Sequence, residues 1–128
     1  MRLSVIIIFL LSFFCVQAQK DDTQNQLALL YYSKADYERA AEIYESLFKE
    51  THSRVHFDYL ISCYRNLSHF DKAESITLEQ IKLYPHNYFY QISLAGLYHE
   101  TNRNKEADAV LKKVERKAFR SEYETIEV

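Results

Sequence analysis

A chain of 128 residues, 48% hydrophobic and 27% charged, has the composition of one ordinary globular domain. Its formal net charge of −2 excludes the basic field that would draw nucleic acid or an anionic membrane. One glycine and one proline exclude β-hairpins, long loops, phosphate-cradling glycine loops and nucleophile elbows, and leave helices joined by tight turns.

In chain order, residues 1–18 differ from the rest. Met1-Arg2 gives a positive start, Leu3 to Val16 is almost wholly apolar, and Val16-Gln17-Ala18 offers small or short-branched residues where a signal peptidase reads. This pattern predicts a secretory signal peptide cleaved after Ala18. The alternative is an uncleaved anchor, against which stands an apolar run shorter than the ~20 residues that span a bilayer. Phe14 before Cys15 argues against a lipoprotein. Cleavage removes Cys15 and leaves Cys63, so the mature chain holds no internal disulfide, which suits a bacterial periplasm or envelope. No membrane span then remains in the mature chain.

From residue 22 to 117 the apolar spacing is helical. It predicts six helices in three antiparallel pairs: Thr23–Ser33 with Tyr37–Lys49, Arg54–Asn66 with Phe70–Leu83, and Tyr88–Glu100 with Lys105–Arg116. Asp36 is placed to cap the second helix, and Ser68 with Asp71 resembles a capping box for the fourth. Pro85 stops the fourth helix, Asn87 caps the fifth, and Asn102 or Asn104 the sixth.

One triplet comes round three times. Leu27, Tyr31 and Ala40 recur as Leu60, Tyr64 and Ala73, then as Leu94, Tyr98 and Ala107, stepping by 33 and then 34 residues. A fixed register of this kind marks stacked copies of one helix–turn–helix unit, predicted over about 21–53, 54–87 and 88–118. The alanines are expected where paired helices approach most closely, and the leucines and tyrosines in the core. The unit is large-x-x-Leu-small-x-x-Tyr on its first helix and Ala-x-x-x-aromatic on its second, met with departures by Gln24, Leu27, Ala28, Tyr31, Ala40, Tyr44; then Phe57, Leu60, Ile61, Tyr64, Ala73, Thr77 and the closing Pro85; then Gln91, Leu94, Ala95, Tyr98, Ala107, Leu111. This resembles the tetratricopeptide repeat, over residues 21 to about 118. The resemblance implies an all-α right-handed α-solenoid of three repeats. Ile61 in place of a small residue implies a splayed second pair, and Thr77 stands where the family packs an aromatic. Residues 119–128 read either as a short capping helix or as the start of a truncated fourth repeat, since Phe119, Tyr123 and Ile126 share i, i+4, i+7 spacing. Without a cap, the last pair is expected to associate with a second copy through this C-terminal end.

The family's peptides lie on the concave face formed by the first helices. Carried over by register, the partner-binding positions are Asn25, Leu29 and Tyr32 in the first copy, Asp58, Ser62 and Arg65 in the second, and Phe89, Ile92, Gly96 and His99 in the third. Subclasses that grip a free carboxylate need lysine and arginine there, whereas the matching positions carry Asn25, Leu29, Tyr59, Phe89 and Ser93. His52 and His56 have metal-ligand spacing on a helix, but no Cys or acid pattern completes a zinc site. Cys63 reads as a small buried apolar group. The residues predict no cofactor and no catalysis. They point to a non-catalytic scaffold in the cell envelope that holds a protein or peptide partner. The alternative is the extracytoplasmic sensory or substrate-guiding front of a larger signalling or enzymatic protein.

Overall fold

The computed structural model describes residues 22–126, with side chains described through residue 120. The stretch 1–18 read as a signal peptide, and residues 127–128, lie outside the described residues. Every element is an α-helix: α1 over residues 22–33, α2 Tyr37–Thr51, α3 Arg54–Asn66, α4 Phe70–Leu83, α5 Tyr88–Glu100 and α6 Asn104–Ile126. No strand occurs among the described residues. The fold class read from the repeat, an all-α helical repeat, is the one observed, and the helix ends fall within two residues of those expected, except at the end of α6.

The stops and starts have local causes. Asp36 caps α2, its Oδ1 accepting from the Arg39 amide at 3.4 Å, and Asn87 caps α5, its Oδ1 accepting from the Phe89 amide at 3.2 Å. α4 ends two residues before Pro85, whose ring cannot continue it. Ser68 is not a cap: α4 is preceded by His69, which makes no side-chain capping bond. Ser68 instead takes a left-handed conformation, φ 58°, in the turn. Ala35 (φ 58°) and Asn102 (φ 61°) do the same. Each stands five residues before its copy's alanine, so the turn between paired helices has one conformation in all three copies. The triplet register is thus also a backbone register. Asn102 is therefore a turn residue as well, and α6 starts at Asn104.

The chain divides into two compact units, one through Ser68 with α1–α3 and one from His69 with α4–α6. In the first, α2 packs on α3. Ala28, Ala40, Phe57, Leu60 and Cys63 are fully buried, and Phe48 meets Phe57 at 5.6 Å between ring centroids. Burying a leucine such as Leu60 contributes about 2–3 kcal/mol. In the second unit α5 packs on both α4 and α6. Its core is Leu94, Ala95, Tyr98 and Ala107, with Ile81 and Val110 against it. Thr77, at an aromatic position, is fully buried, and its hydroxyl donates to the Ala73 carbonyl at 2.7 Å.

Two expectations are corrected. Leu27 is not a core residue: it is 37% exposed, while Leu60 and Leu94 are buried. The leucine of α3 is covered by α2 and that of α5 by α4, and no described helix precedes α1. Residues 119–126 form no separate capping helix. They prolong α6, because the run Arg116-Lys117-Ala118-Phe119-Arg120 holds no glycine, proline or capping signal to stop it.

Candidate functional site

The predicted binding residues fall into one group in each unit. In the first unit, Tyr32 of α1 and Ser62 of α3 are joined directly, hydroxyl to hydroxyl at 2.7 Å. Tyr32 also stands edge-on to Tyr37 at 5.5 Å and to Tyr59 at 5.1 Å, and Tyr59 stacks on Tyr44 at 4.9 Å and 5°. Tyr32 and Ser62 therefore tie α1 to α3, and what they offer a partner is an aromatic floor rather than unused hydroxyls. Leu29, Asp58 and Arg65 are exposed around them and Asn25 is half-buried. Partial burial pushes the Asp58 carboxyl up, opposed by Arg54 at 3.9 Å.

Beneath that floor lies a buried polar atom. The Tyr44 hydroxyl has no hydrogen-bond partner, and Tyr44 is fully buried. Burial, with Tyr59, Cys63 and Tyr32 around it, pushes its titration far above the ordinary tyrosine value. Cys63 is buried, as its place on an apolar helix face suggests, and burial pushes its thiol up to about 11. A thiol so shifted is a poor nucleophile at neutral pH.

In the second unit, Phe89, Ile92, Gly96 and His99 follow i, i+3, i+7, i+10 spacing along α5. The opposite side of α5 is core: Tyr90, Leu94, Ala95, Leu97 and Tyr98 are buried. On the stripe, Ile92 is 53% exposed, and Gly96 and His99 are exposed. A Cβ built on Gly96 meets nothing within 4 Å. The stripe is thus a notch between Ile92 and His99, with Phe89 half-buried at its start. His99 Nδ1 shares a hydrogen bond with Asn104 Oδ1 at 2.8 Å, which fixes the ring at the other end.

Two of the repeat tyrosines, Tyr31 and Tyr98, are covered by arginines at the turns. Arg39 lies over the Tyr31 ring at 4.7 Å and pairs with Asp36 at 2.7 Å. Arg103 lies over Tyr98 at 4.0 Å and bridges Glu106 at 2.7 Å and Glu74 at 2.6 Å. The two turns use the same two register positions with the charges exchanged, acid then base in the first copy, base then acid in the third. Bonds from Arg103 hold the Glu106 carboxyl below the usual range. His52 and His56 have different duties: His52 takes the left-handed end of α2, and His56 Nδ1 shares a hydrogen bond with Thr51 Oγ1 at 2.8 Å.

Residues 25–51, the greater part of α1 and all of α2, match the tetratricopeptide repeat family. The match falls within the first of the three copies, and the described helices form a tetratricopeptide-like helical repeat. No curated protein matches it. Tetratricopeptide repeats are in general protein–protein interaction modules and typically non-catalytic. In this repeat protein, sequence reasoning missed two features. Tyr59 centres the aromatic floor, signalled only by the density of Tyr32, Tyr37, Tyr44 and Tyr59. A groove of about 290 Å³ opens between α4, α5 and α6, lined by Leu78, Ile81, Leu94, Val110, Val114 and the lysines of α6. Its only sequence signal is Val110 with Val114, and Lys113 with Lys117, each four apart.

Proposed function

We propose that this protein is a non-catalytic adaptor, exported to the cell envelope, that holds a protein partner on the first-helix face of its repeats. The observation that carries the reading is the α5 stripe. An exposed isoleucine beside an open glycine, on a helix whose other side is core, forms a preformed apolar notch that a partner side chain can enter without reorganising the backbone. In the first unit Leu29, Asp58 and Arg65 around the Tyr32 floor add an aromatic anchor with both charge signs. Export rests on the apolar, cleavable pattern of residues 1–18.

The test is site-specific photocrosslinking in cells, with the crosslinker at position 92 and, as control, at exposed Glu79 of α4. A defined protein adduct from position 92, absent from position 79 and abolished by Gly96→Arg, is the expected result. Equal adducts from both positions, or an adduct indifferent to Gly96→Arg, would overturn the site. N-terminal sequencing of the accumulated protein should start at Gln19, and an intact Met1 would sink the cleavage.

A further inference from the structure

The groove between α4, α5 and α6 is independent of the first-helix face. Its floor is apolar, with Leu78, Ile81, Leu94, Val110 and Val114, and Lys113 and Lys117 stand exposed on its α6 wall. Among the described residues neither lysine makes an ion pair. On the α5 wall the Gln91 Nε2 donates to the Pro85 carbonyl at 3.0 Å, while Gln91 Oε1 is buried without a partner. Such a groove fits apolar side chains interspersed with carboxylates.

This chain carries that segment itself. Residues 121–128 read Ser-Glu-Tyr-Glu-Thr-Ile-Glu-Val, with Glu122, Glu124 and Glu127 set among Tyr123, Ile126 and Val128, and no cation. The stretch just before it is the opposite: Lys112, Lys113, Arg116, Lys117 and Arg120 against the single acid Glu115. α6 is therefore a helix with a basic middle and an acidic end. The segment cannot reach its own groove. α6 is one wall of that groove and runs on as helix to Ile126, which carries position 123 about 9 Å past Lys117 along the axis.

We propose that the C-terminal end of α6 from a second copy occupies this groove, in a two-fold dimer with the α6 helices antiparallel. An axis level with residues 119 and 120 sets Lys117 opposite Glu122 and Lys113 level with Ile126, twice over. Charge fixes the direction, because a parallel pairing sets base against base. The arrangement is isologous, so it closes at two copies and leaves no unmatched groove.

The test is a charge exchange, read by sedimentation velocity on the purified chain. One variant carries Lys113→Glu with Lys117→Glu, the other Glu122→Lys with Glu124→Lys and Glu127→Lys. The wild type should be dimeric at ~100 μM, each variant alone should associate at least about tenfold more weakly, and an equal mixture should regain the dimer, because both seats are complementary again. A monomeric wild type, variants that dimerise as well as wild type, or a mixture that stays monomeric would each overturn the proposal. A synthetic peptide of residues 117–128 gives a second readout needing no altered protein: it should dissociate the wild-type dimer, and failure to compete would count equally against the seat.

Discussion

Replacing Gly96 with alanine separates packing from binding at the α5 stripe. Gly96 lies inside a helix with ordinary negative φ, so nothing in its backbone requires glycine. The added methyl meets no atom within 4 Å, so no steric cost offsets the gain in helix propensity. That gain is about 1 kcal/mol, from the backbone freedom that glycine loses on folding. For a domain of ~100 residues it raises Tm by about 4 °C. Urea unfolding followed by circular dichroism at 222 nm reads it directly, as a higher midpoint at unchanged slope. The same substitution narrows the notch between Ile92 and His99, so crosslinking from position 92 should weaken while stability rises. An unchanged or lower midpoint would refute the reasoning, because the space over Gly96 would then be filled.

The remaining predictions concern the interior and the turns. Tyr44→Phe removes a buried hydroxyl with no partner and should stabilise by about 1 kcal/mol, and a loss of stability in urea melts would mean the hydroxyl is paired. Ala35→Gly relieves a left-handed alanine and should stabilise by about 1 kcal/mol, seen as a higher urea midpoint, whereas Ala40→Gly, in the interior of α2, should lower the midpoint. Burial holds Cys63 at about 11 and Tyr64 at about 12, each above its ordinary value. The protonated forms are therefore favoured in the fold, their stabilisation is complete below about pH 8.5, and it is lost as pH rises through 9 to 12. Urea midpoints across that range should fall, with Cys63→Ala removing the earlier part of the decline.

Most of the fold could be read from the residues because its signals are local. Asp36, Pro85 and Asn87 act on the turn they occupy, and three alanines at fixed register disclose the helix pairs. The misreadings have non-local causes. Leu27 is chemically the same leucine as Leu60, but its burial depends on a neighbouring helix rather than on its own. Ser68 has the composition of a cap, yet the turn geometry claims it first. The binding face was legible as positions but not as chemistry. Register put Tyr32 and Ser62 on one face and could not say that their hydroxyls bond to each other. The lysine-edged groove draws on three helices at once and leaves only spaced pairs in any one of them.

The repeat written in the sequence and the compact unit of the chain are out of step by one helix. The copies run from first helix to second, but the division at Ser68 and His69 leaves α3 with α1 and α2, and α4 with α5 and α6. The seam lies in a turn whose left-handed residue has counterparts at Ala35 and Asn102. Anyone recombining or trimming such arrays should therefore cut in the turn between paired helices rather than between copies. A fragment ending at Ser68 keeps α2 against α3, whereas one ending at Ser53, tidy on paper, strips α2 of the helix that covers it.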